Sequence, residues 1–314
     1  MCLQFLEEYG RVAGGDVKMK NKLRGSLCLI VAVLIWGSAF IAQSVGMERI
    51  GPFTFLAFRS GMAILFLVPM ASLLEMGKCS LRQSLAKWKN PKLWKAGLIC
   101  GICLFCASAL QQIGLVYTDA GKAGFITAMY IVGVPLLGFF VGRKPPKTAL
   151  ISVILAVAGL YLLSAMGVST INKGDLFLIG CAICYSFQIL SVEFLGMDVD
   201  GVRLNCIQVL VTFVLASVCM FGLETFTMSD VAASLGPLAY AGILSTGIAF
   251  TLQIVGQKDL EPTTASVIMS MESLVAVICG VLILKETMTP YEITGCVLMF
   301  IALIISQLPE KKNA

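Results

Sequence analysis

The chain has 314 residues, of which 58% are hydrophobic and 13% are charged, and its mean hydropathy is +0.91. A soluble domain has roughly 45–50% apolar and about 25% charged residues, so this composition excludes a water-soluble fold. The formal net charge of +5 does not indicate a nucleic-acid-binding protein, because Lys and Arg are confined to gaps between apolar runs and do not alternate with aromatic residues.

The first 24 residues form a polar segment ahead of the apolar runs. They contain Glu7, Glu8 and Asp16 and lack an apolar core followed by a small-residue cleavage site, so they are not a signal peptide. Residues 1–24 are therefore predicted to be a cytoplasmic N-terminal tail. Codons for Gly14-Gly15-Asp16 can resemble a bacterial ribosome-binding site, so we expect Met19 to be the natural start.

Ten apolar runs follow, and each is long enough to cross a membrane. They predict an all-α integral membrane protein with ten transmembrane helices and a short C-terminal tail, 309–314. Turn signals such as Gly51-Pro52 and Glu261-Pro262 separate several of the runs. The runs cover residues 26–45, 53–74, 94–114, 121–141, 148–164, 175–195, 203–223, 236–256, 263–284 and 291–308.

Lys and Arg set the predicted orientation, because positively charged flanks resist translocation. With the N-terminus in the cytoplasm, most basic residues lie in cytoplasmic segments, and the external segments hold only Arg49, Lys122, Lys173 and Lys285. The bias is strong in the first half and weak in the second. It predicts an N-in, C-in topology with an even number of spans.

The sequence also repeats internally. A shift of 142 residues aligns Gln111 with Gln253, and a shift of 149 aligns Trp36 with Tyr185. Residues 25–164 and 174–308 are therefore predicted to be two copies of one five-span unit. Because five is odd, the second copy enters the membrane from the opposite side. In such inverted repeats a substrate site lies near mid-membrane, between the halves.

Four stretches carry a family resemblance: Trp36-Gly37-Ser38-Ala39-Phe40, Ala109 to Leu115 with Ala123 to Thr127, Ala265 to Glu272, and Leu284-Lys285-Glu286 with Gly295. They resemble the drug/metabolite transporter superfamily in its ten-span branch with two EamA domains, and the resemblance runs from Leu23 to Leu308. It implies a transporter whose central cavity is lined by spans one, three, four, six, eight and nine. The family commonly has a proline after the glutamate that matches Glu272. Here Ser273 follows, so the sequence gives less reason to expect a helix break.

Glu272 is the clearest candidate for a functional residue. It lies about nine residues into the predicted ninth span, where an ionisable group costs roughly 2.5–3.5 kcal/mol on insertion scales. We predict that it binds a substrate amine or carries a coupling proton. The alternative is a protonated carboxyl group that forms a hydrogen bond between helices.

Aromatic and amide residues give a second set of candidates. Trp36 and Gln43 are seven residues apart, so they share one face of the first span. The repeat places Tyr185 and Gln188 on the equivalent face of the sixth span, and Tyr130 at the position equivalent to Glu272. The alternative is that glutamines join helices by hydrogen bonds worth about 0.6 kcal/mol each. The predicted substrate-binding residues are Trp36, Gln43, Gln111, Tyr130, Tyr185, Gln188, Gln253 and Glu272.

Two basic residues near the external face are interpreted differently. Arg59 lies seven residues beyond Pro52, close enough for its side chain to reach the external water. It is therefore predicted to be an anchor or a helix partner rather than a ligand, and Lys122 is ambiguous in the same way. Phosphorylated substrates would need several cavity cations, so they are not expected.

Glycine and cysteine patterns give two further predictions. Gly97-x-x-x-Gly101 and Gly138-x-x-x-Gly142 predict close helix packing. The cysteine clusters are not expected to bind a metal because the chain contains no His. No cofactor is expected.

Together these features predict a secondary transporter of a small organic metabolite, such as an amino acid, an amine or a similar amphiphile. It would work by alternating access in a bacterial plasma membrane. The expected partners are the substrate and the lipid bilayer, without nucleic acid, and a homodimer is left open. The alternative is a polytopic membrane enzyme acting on lipid or isoprenoid. The lack of His and the short loops disfavour it.

Overall fold

The structure is a computed structural model that describes residues 2–75, 80–118, 120–142, 145–164, 172–279 and 289–307. Every element in these ranges is helical, which suits a membrane because a helix satisfies its own backbone hydrogen bonds. The elements are α1 (Cys2–Gly46), α2 (Pro52–Leu73), α3 (Leu81–Ala86), a 3₁₀ turn (Lys87–Lys89), α4 (Pro91–Tyr117), α5 (Ala120–Ala128), α6 (Tyr130–Phe140), α7 (Lys147–Ser164), α8 (Lys173–Gly196), α9 (Gly201–Leu223), α10 (Met228–Ala233), α11 (Leu235–Ala239), a π-helix (Tyr240–Ala249), α12 (Phe250–Gln257), α13 (Pro262–Ser270), α14 (Glu272–Cys279) and α15 (Pro290–Gln307).

Seven helical segments of the described residues are long and apolar enough to cross a membrane, and they match seven of the ten predicted spans. Two shorter apolar stretches, Lys147–Gly159 and Ile293–Ser306, lie within the fifth and tenth predicted spans. The ninth predicted span, 263–284, begins with α13 and α14 and extends outside the described residues. The seven full-length segments are Met19–Gly46, Pro52–Leu73, Pro91–Tyr117, Lys122–Phe140, Lys173–Gly196, Gly201–Leu223 and Leu235–Gln257.

Two of the predicted spans are interrupted at equivalent positions. The fourth span breaks at Met129 and the ninth at Met271, which lie 142 residues apart. At each break the backbone N–H donates to the carbonyl three residues earlier, at 3.2 Å for Met129 and 3.1 Å for Met271. These tight turns end one helix and start another without a proline. A break directly before Glu272 therefore occurs although Ser273 stands where the family commonly has proline, and it has a counterpart before Tyr130.

Close helix contacts hold the bundle together. The glycines predicted to pack in α4 do so against α9, because a Cβ on Gly97 would lie 2.4 Å from Ile207 and one on Gly101 would lie 2.9 Å from the Gln208 carbonyl. The prediction is wrong for Gly142, where an added Cβ would meet no atom of the described residues within 4 Å. Gly142 instead follows α6 with a φ of 81°, a conformation that favours glycine.

Helices α2 and α9 pack along one another, and a glutamate ties them at each end. At one end Glu75 accepts hydrogen bonds from Arg203 at 3.1 and 2.9 Å and pairs with Lys87. Hydrogen bonds from Arg203, and after them those from Lys87 and Ser84, hold the pKa of Glu75 well below its usual value.

At the opposite end Glu224 accepts hydrogen bonds from the backbone of Phe53 at 2.9 Å and from the backbone and hydroxyl of Thr54 at 2.7 Å each. The carboxylate thereby satisfies N–H groups at the start of α2 that have no partner within the helix, and it faces the positive end of the helix dipole. We call these two arrangements the Glu75 contact and the Glu224 contact.

Candidate functional site

A cavity lies between the two halves of the chain. Its walls come from the spans that the family resemblance implies, together with α2, which contributes Arg59. The lining residues are Trp36, Phe40, Gln43, Arg59, Gln111, Thr127, Tyr130, Tyr185, Ile189, Ser245, Phe250, Gln253, Met269 and Glu272.

Seven of the eight predicted substrate-binding residues line this cavity: Trp36, Gln43, Gln111, Tyr130, Tyr185, Gln253 and Glu272. The eighth, Gln188, does not line it. Its side chain is fully buried, and the Gln253 side-chain amide donates from Nε2 to Gln188 Oε1 at 3.0 Å. The helical register predicted the correct face of α8 but not the depth at which Gln188 packs.

Glu272 is buried, with 5% of its surface exposed, and is the first residue of α14. The Tyr130 hydroxyl donates to Glu272 Oε1 at 3.2 Å. The Tyr130 ring in turn packs edge-on against Tyr185, with ring centroids 6.4 Å apart. The two residues that the repeat makes equivalent, Tyr130 and Glu272, therefore touch, so the carboxyl group lies close to the boundary between the halves.

Arg59 differs most from its prediction. Only 3% of its surface is exposed, so the expectation that it reaches the external water is wrong. The guanidinium lines the cavity and donates from Nη1 to Gln43 Oε1 at 2.9 Å, which makes Arg59 a partner of α1 as well. The same oxygen of Gln43 accepts a hydrogen bond from Gln112. Arg59 Nε has no hydrogen-bond partner among the described residues.

The two charged residues of the lining are not paired with each other. Within the described residues, no ion pair involves Arg59 or Glu272. Lys122, the other basic residue considered from the sequence, is accounted for by an ion pair with Asp175 at 2.7 Å, outside the cavity lining. The cavity thus holds one basic and one acidic side chain, and no oppositely charged side chain of the described residues pairs with either. The Arg59 guanidinium also lies over the Phe55 ring, 6.0 Å from its centroid.

A chain of amide groups supports one wall of the cavity. Beyond the bond from Gln253 to Gln188, Gln188 donates to Gln208 at 3.4 Å and Gln208 donates to Asn205 at 2.9 Å. The predicted alternative role of glutamines as helix-joining groups is therefore realised. Gln253 Oε1 still has no partner in the described part of the chain, so this residue keeps an acceptor at the lining.

Aromatic rings form the apolar part of the lining. Trp36 packs against Phe250 with ring centroids 5.0 Å apart, and its indole N–H has no partner among the described residues. The lining also includes Ser245 of the π-helix, an element that the sequence did not predict. Wide helical turns of this kind occur often at functional sites. The lining can accommodate a small solute that carries both hydrogen-bonding groups and apolar surface.

Residues 23–165 and 172–307 each match the EamA-like transporter family. The chain therefore belongs to this family. Over 98% of its length it is 29% identical to an uncharacterized transporter of Archaeoglobus fulgidus, and the match covers 91% of that protein. It is 27% identical to the threonine/homoserine exporter RhtA of Escherichia coli K12 over 61% of this chain and 64% of that one. A crystal structure with 18% identity has the same fold, with a TM-score of 0.74 over 90% of this chain and 96% of that one.

The uncompensated charge of Arg59 predicts an unusual stability effect in this transporter. Arg59→Met removes a buried charge and keeps an apolar side chain of similar length, and such replacements are often neutral or stabilising. We expect the melting temperature of the ligand-free protein in detergent to stay equal or to rise.

The matched control is Arg203→Met, because Arg203 is equally buried but paired with Glu75 and Ser84. This variant loses about 2 kcal/mol or more of stability, since several charge-assisted hydrogen bonds disappear. If both variants lowered the melting temperature to the same extent, Arg59 would be a structural residue.

Proposed function

We propose that this protein is a secondary transporter that moves a small amphiphilic metabolite, an amino acid, an amine or a similar solute, by alternating access. The observation that carries the proposal is the cavity in which Arg59 and Glu272 lie among aromatic and amide groups, neither forming an ion pair within the described residues. Charged side chains are rare within membrane spans and mark substrate or ion pathways when they occur. We place the protein in the plasma membrane of a bacterium, with both termini in the cytoplasm.

Equivalent glycine contacts support an inverted repeat of two five-span halves. A Cβ on Gly25 would lie 2.8 Å from the Gly256 carbonyl, and one on Gly174 would lie 2.8 Å from the Gly114 carbonyl. The shift of 149 relates Gly25 to Gly174, and the shift of 142 relates Gly114 to Gly256. Two equivalent pairs of helices, α1 with α12 and α4 with α8, thus cross at glycines, as a pseudo-two-fold axis between the halves requires.

The Glu75 contact and the Glu224 contact follow the same symmetry. The shift of 149 relates Glu75 to Glu224 and Thr54 to Arg203. In the proposed topology, the Glu75 contact ties α2 to α9 at the cytoplasmic end and the Glu224 contact ties them at the external end. Alternating access needs the halves to separate at one end while they stay together at the other. With two equivalent contacts at opposite ends, either contact can hold its end of the two helices together while the other end opens.

Replacing each glutamate tests this arrangement. We expect Glu75→Gln to raise hydrogen exchange at the end of α2 and the start of α9, and Glu224→Gln to raise it at the start of α2 and the end of α9. Hydrogen exchange read by mass spectrometry at pH 7 measures both, with the exposed Glu48→Gln as the control.

The pH dependence has a definite sign. Because the folded protein lowers the pKa of Glu75, the contact contributes fully above the ordinary pKa of a glutamate and is lost as the pH falls through the lowered value. Wild-type protein should therefore keep the Glu75 contact at neutral pH.

The hydrogen-exchange experiment can contradict the proposal. It would do so if Glu75→Gln and Glu224→Gln raised exchange at the same end of the helices, or if neither variant raised it at either end.

Glu272 is the candidate for coupling transport to protons. It is the acidic residue of the described lining, and its hydrogen bond from Tyr130 crosses between the halves. A proton and a substrate amine would compete for this carboxylate, so binding of one would release the other. The name of RhtA makes export of an amino acid the first direction to test.

Transport can be tested directly in proteoliposomes loaded with a mixture of amino acids and amines. We expect wild-type protein to release at least one component faster than protein-free liposomes, at a rate that depends on a pH difference. Glu272→Gln should lower that rate at least tenfold and abolish its pH dependence, whereas Glu48→Gln should leave both unchanged. Release of no component would refute the transporter, and unchanged transport by Glu272→Gln would refute the coupling role.

A further inference from the structure

We propose that Arg59 and Glu272 form a two-point site for an α-amino acid zwitterion with an uncharged side chain. Arg59 binds the carboxylate, and Glu272 binds the ammonium group. The inference rests on the proposed transport function, and it names the substrate class of the same cavity. It makes Arg59 a specificity-determining residue, a role that the sequence did not predict.

The orientation of Arg59 fits a carboxylate ligand. Nη1 is engaged by Gln43, while Nε is buried without a partner among the described residues. No side chain in the described part of the chain forms an ion pair with the edge of the guanidinium that presents Nε and Nη2, so this edge can receive a ligand. Two parallel N–H donors on one edge match the two oxygens of a carboxylate, which is the geometry that arginine recognises best.

The position of Glu272 fits an ammonium ligand. The carboxyl group accepts one hydrogen bond, from Tyr130 to Oε1, which leaves further acceptor capacity on both oxygens. A primary ammonium group can donate to Glu272 while the hydrogen bond from Tyr130 is kept.

The two residues contact α1 at different depths. Arg59 donates to Gln43, and the Glu272 backbone packs at Gly37, where an added Cβ would lie 2.8 Å from its carbonyl oxygen. These two contacts are six helical residues apart along α1, a rise of about 9 Å. An α-amino acid has about 2.5 Å between its nitrogen and carboxyl carbon. With a hydrogen bond of about 2.8 Å at each end it spans about 8 Å, which is the separation that the two-point site requires between the two charged groups.

The remainder of the lining determines which side chain the ligand carries. Trp36, Phe40, Phe250, Ile189 and Met269 provide apolar surface, and Arg59 and Glu272 are the charged residues of the described lining. A third charge on the ligand would have no counter-charge there and would cost desolvation energy. The site therefore favours amino acids with uncharged side chains over lysine, arginine, aspartate and glutamate.

The test compares three forms of one ligand on full-length protein in detergent. The probes are L-threonine, L-leucine and L-phenylalanine, each beside the amino alcohol that lacks the carboxylate and the hydroxy acid that lacks the ammonium group. Titration calorimetry on wild-type protein should show at least one amino acid binding tenfold or more tightly than both of its analogues. This comparison needs no variant, so it remains decisive if a substitution prevents folding.

Variants then assign each charge to its residue. Arg59→Gln should weaken the amino acid to the affinity of its amino alcohol and leave the amino alcohol within twofold of its wild-type affinity. Glu272→Gln should weaken the amino acid to the affinity of its hydroxy acid. The matched controls are Arg49→Gln and Glu48→Gln. Both residues are exposed and lie between α1 and α2, so these variants should bind like wild type.

Two results would overturn the two-point site. One is an amino alcohol or hydroxy acid that binds wild-type protein as tightly as its amino acid. The other is a proteoliposome assay in which an amine is transported and none of the three amino acids binds. In that case the transporter stands and the zwitterion site fails, whereas absence of transport of every component would remove the proposed function itself.

Discussion

The side-chain oxygen of Gln43 accepts hydrogen bonds from both Arg59 and Gln112, and this shared acceptor fixes the guanidinium at the wall of the cavity. Without it, a long and flexible arginine side chain could turn toward water or toward a carboxylate. Because α1 provides Gln43 and α2 provides Arg59, the position of the charge depends on how these two helices pack. The cavity keeps its positive group separate from Glu272 for this reason.

Keeping two opposite charges apart inside an apolar protein opposes stability, since an ionisable group within a membrane costs roughly 2.5–3.5 kcal/mol on insertion scales. The rest of the bundle supplies compensating contacts. Glycines let α4 approach α9 closely, an amide chain from Gln253 to Asn205 satisfies buried polar groups, and Glu75 and Glu224 tie α2 to α9. A well-packed frame can hold a site that is strained electrostatically, and a ligand that pairs with both charges relieves that strain.

Much of this arrangement could be predicted from the sequence, because it follows from helical spacing and from the internal repeat. The spacing of Trp36 and Gln43 placed them on one face, and the internal repeat placed Tyr130 and Glu272 at equivalent positions that turn out to be in contact.

The position of the Arg59 side chain could not be predicted in this way. Its distance from Pro52 gives its depth, but the direction of its side chain depends on the packing of α2 against the π-helix, where a Cβ on Gly242 would lie 2.7 Å from the Arg59 carbonyl. The depth of Gln188 and the turn at Met271 likewise depend on tertiary contacts rather than on local preference.

The most direct measurement is an experimental structure of the wild-type protein with the amino acid that binds it most tightly. The account predicts ligand density in the cavity, with the carboxylate within hydrogen-bond distance of Nε and Nη2 of Arg59 and the ammonium group within hydrogen-bond distance of Glu272. The hydrogen bond from Arg59 to Gln43 should be retained. A ligand bound elsewhere, or an Arg59 guanidinium paired directly with Glu272 while the ligand is bound, would contradict it.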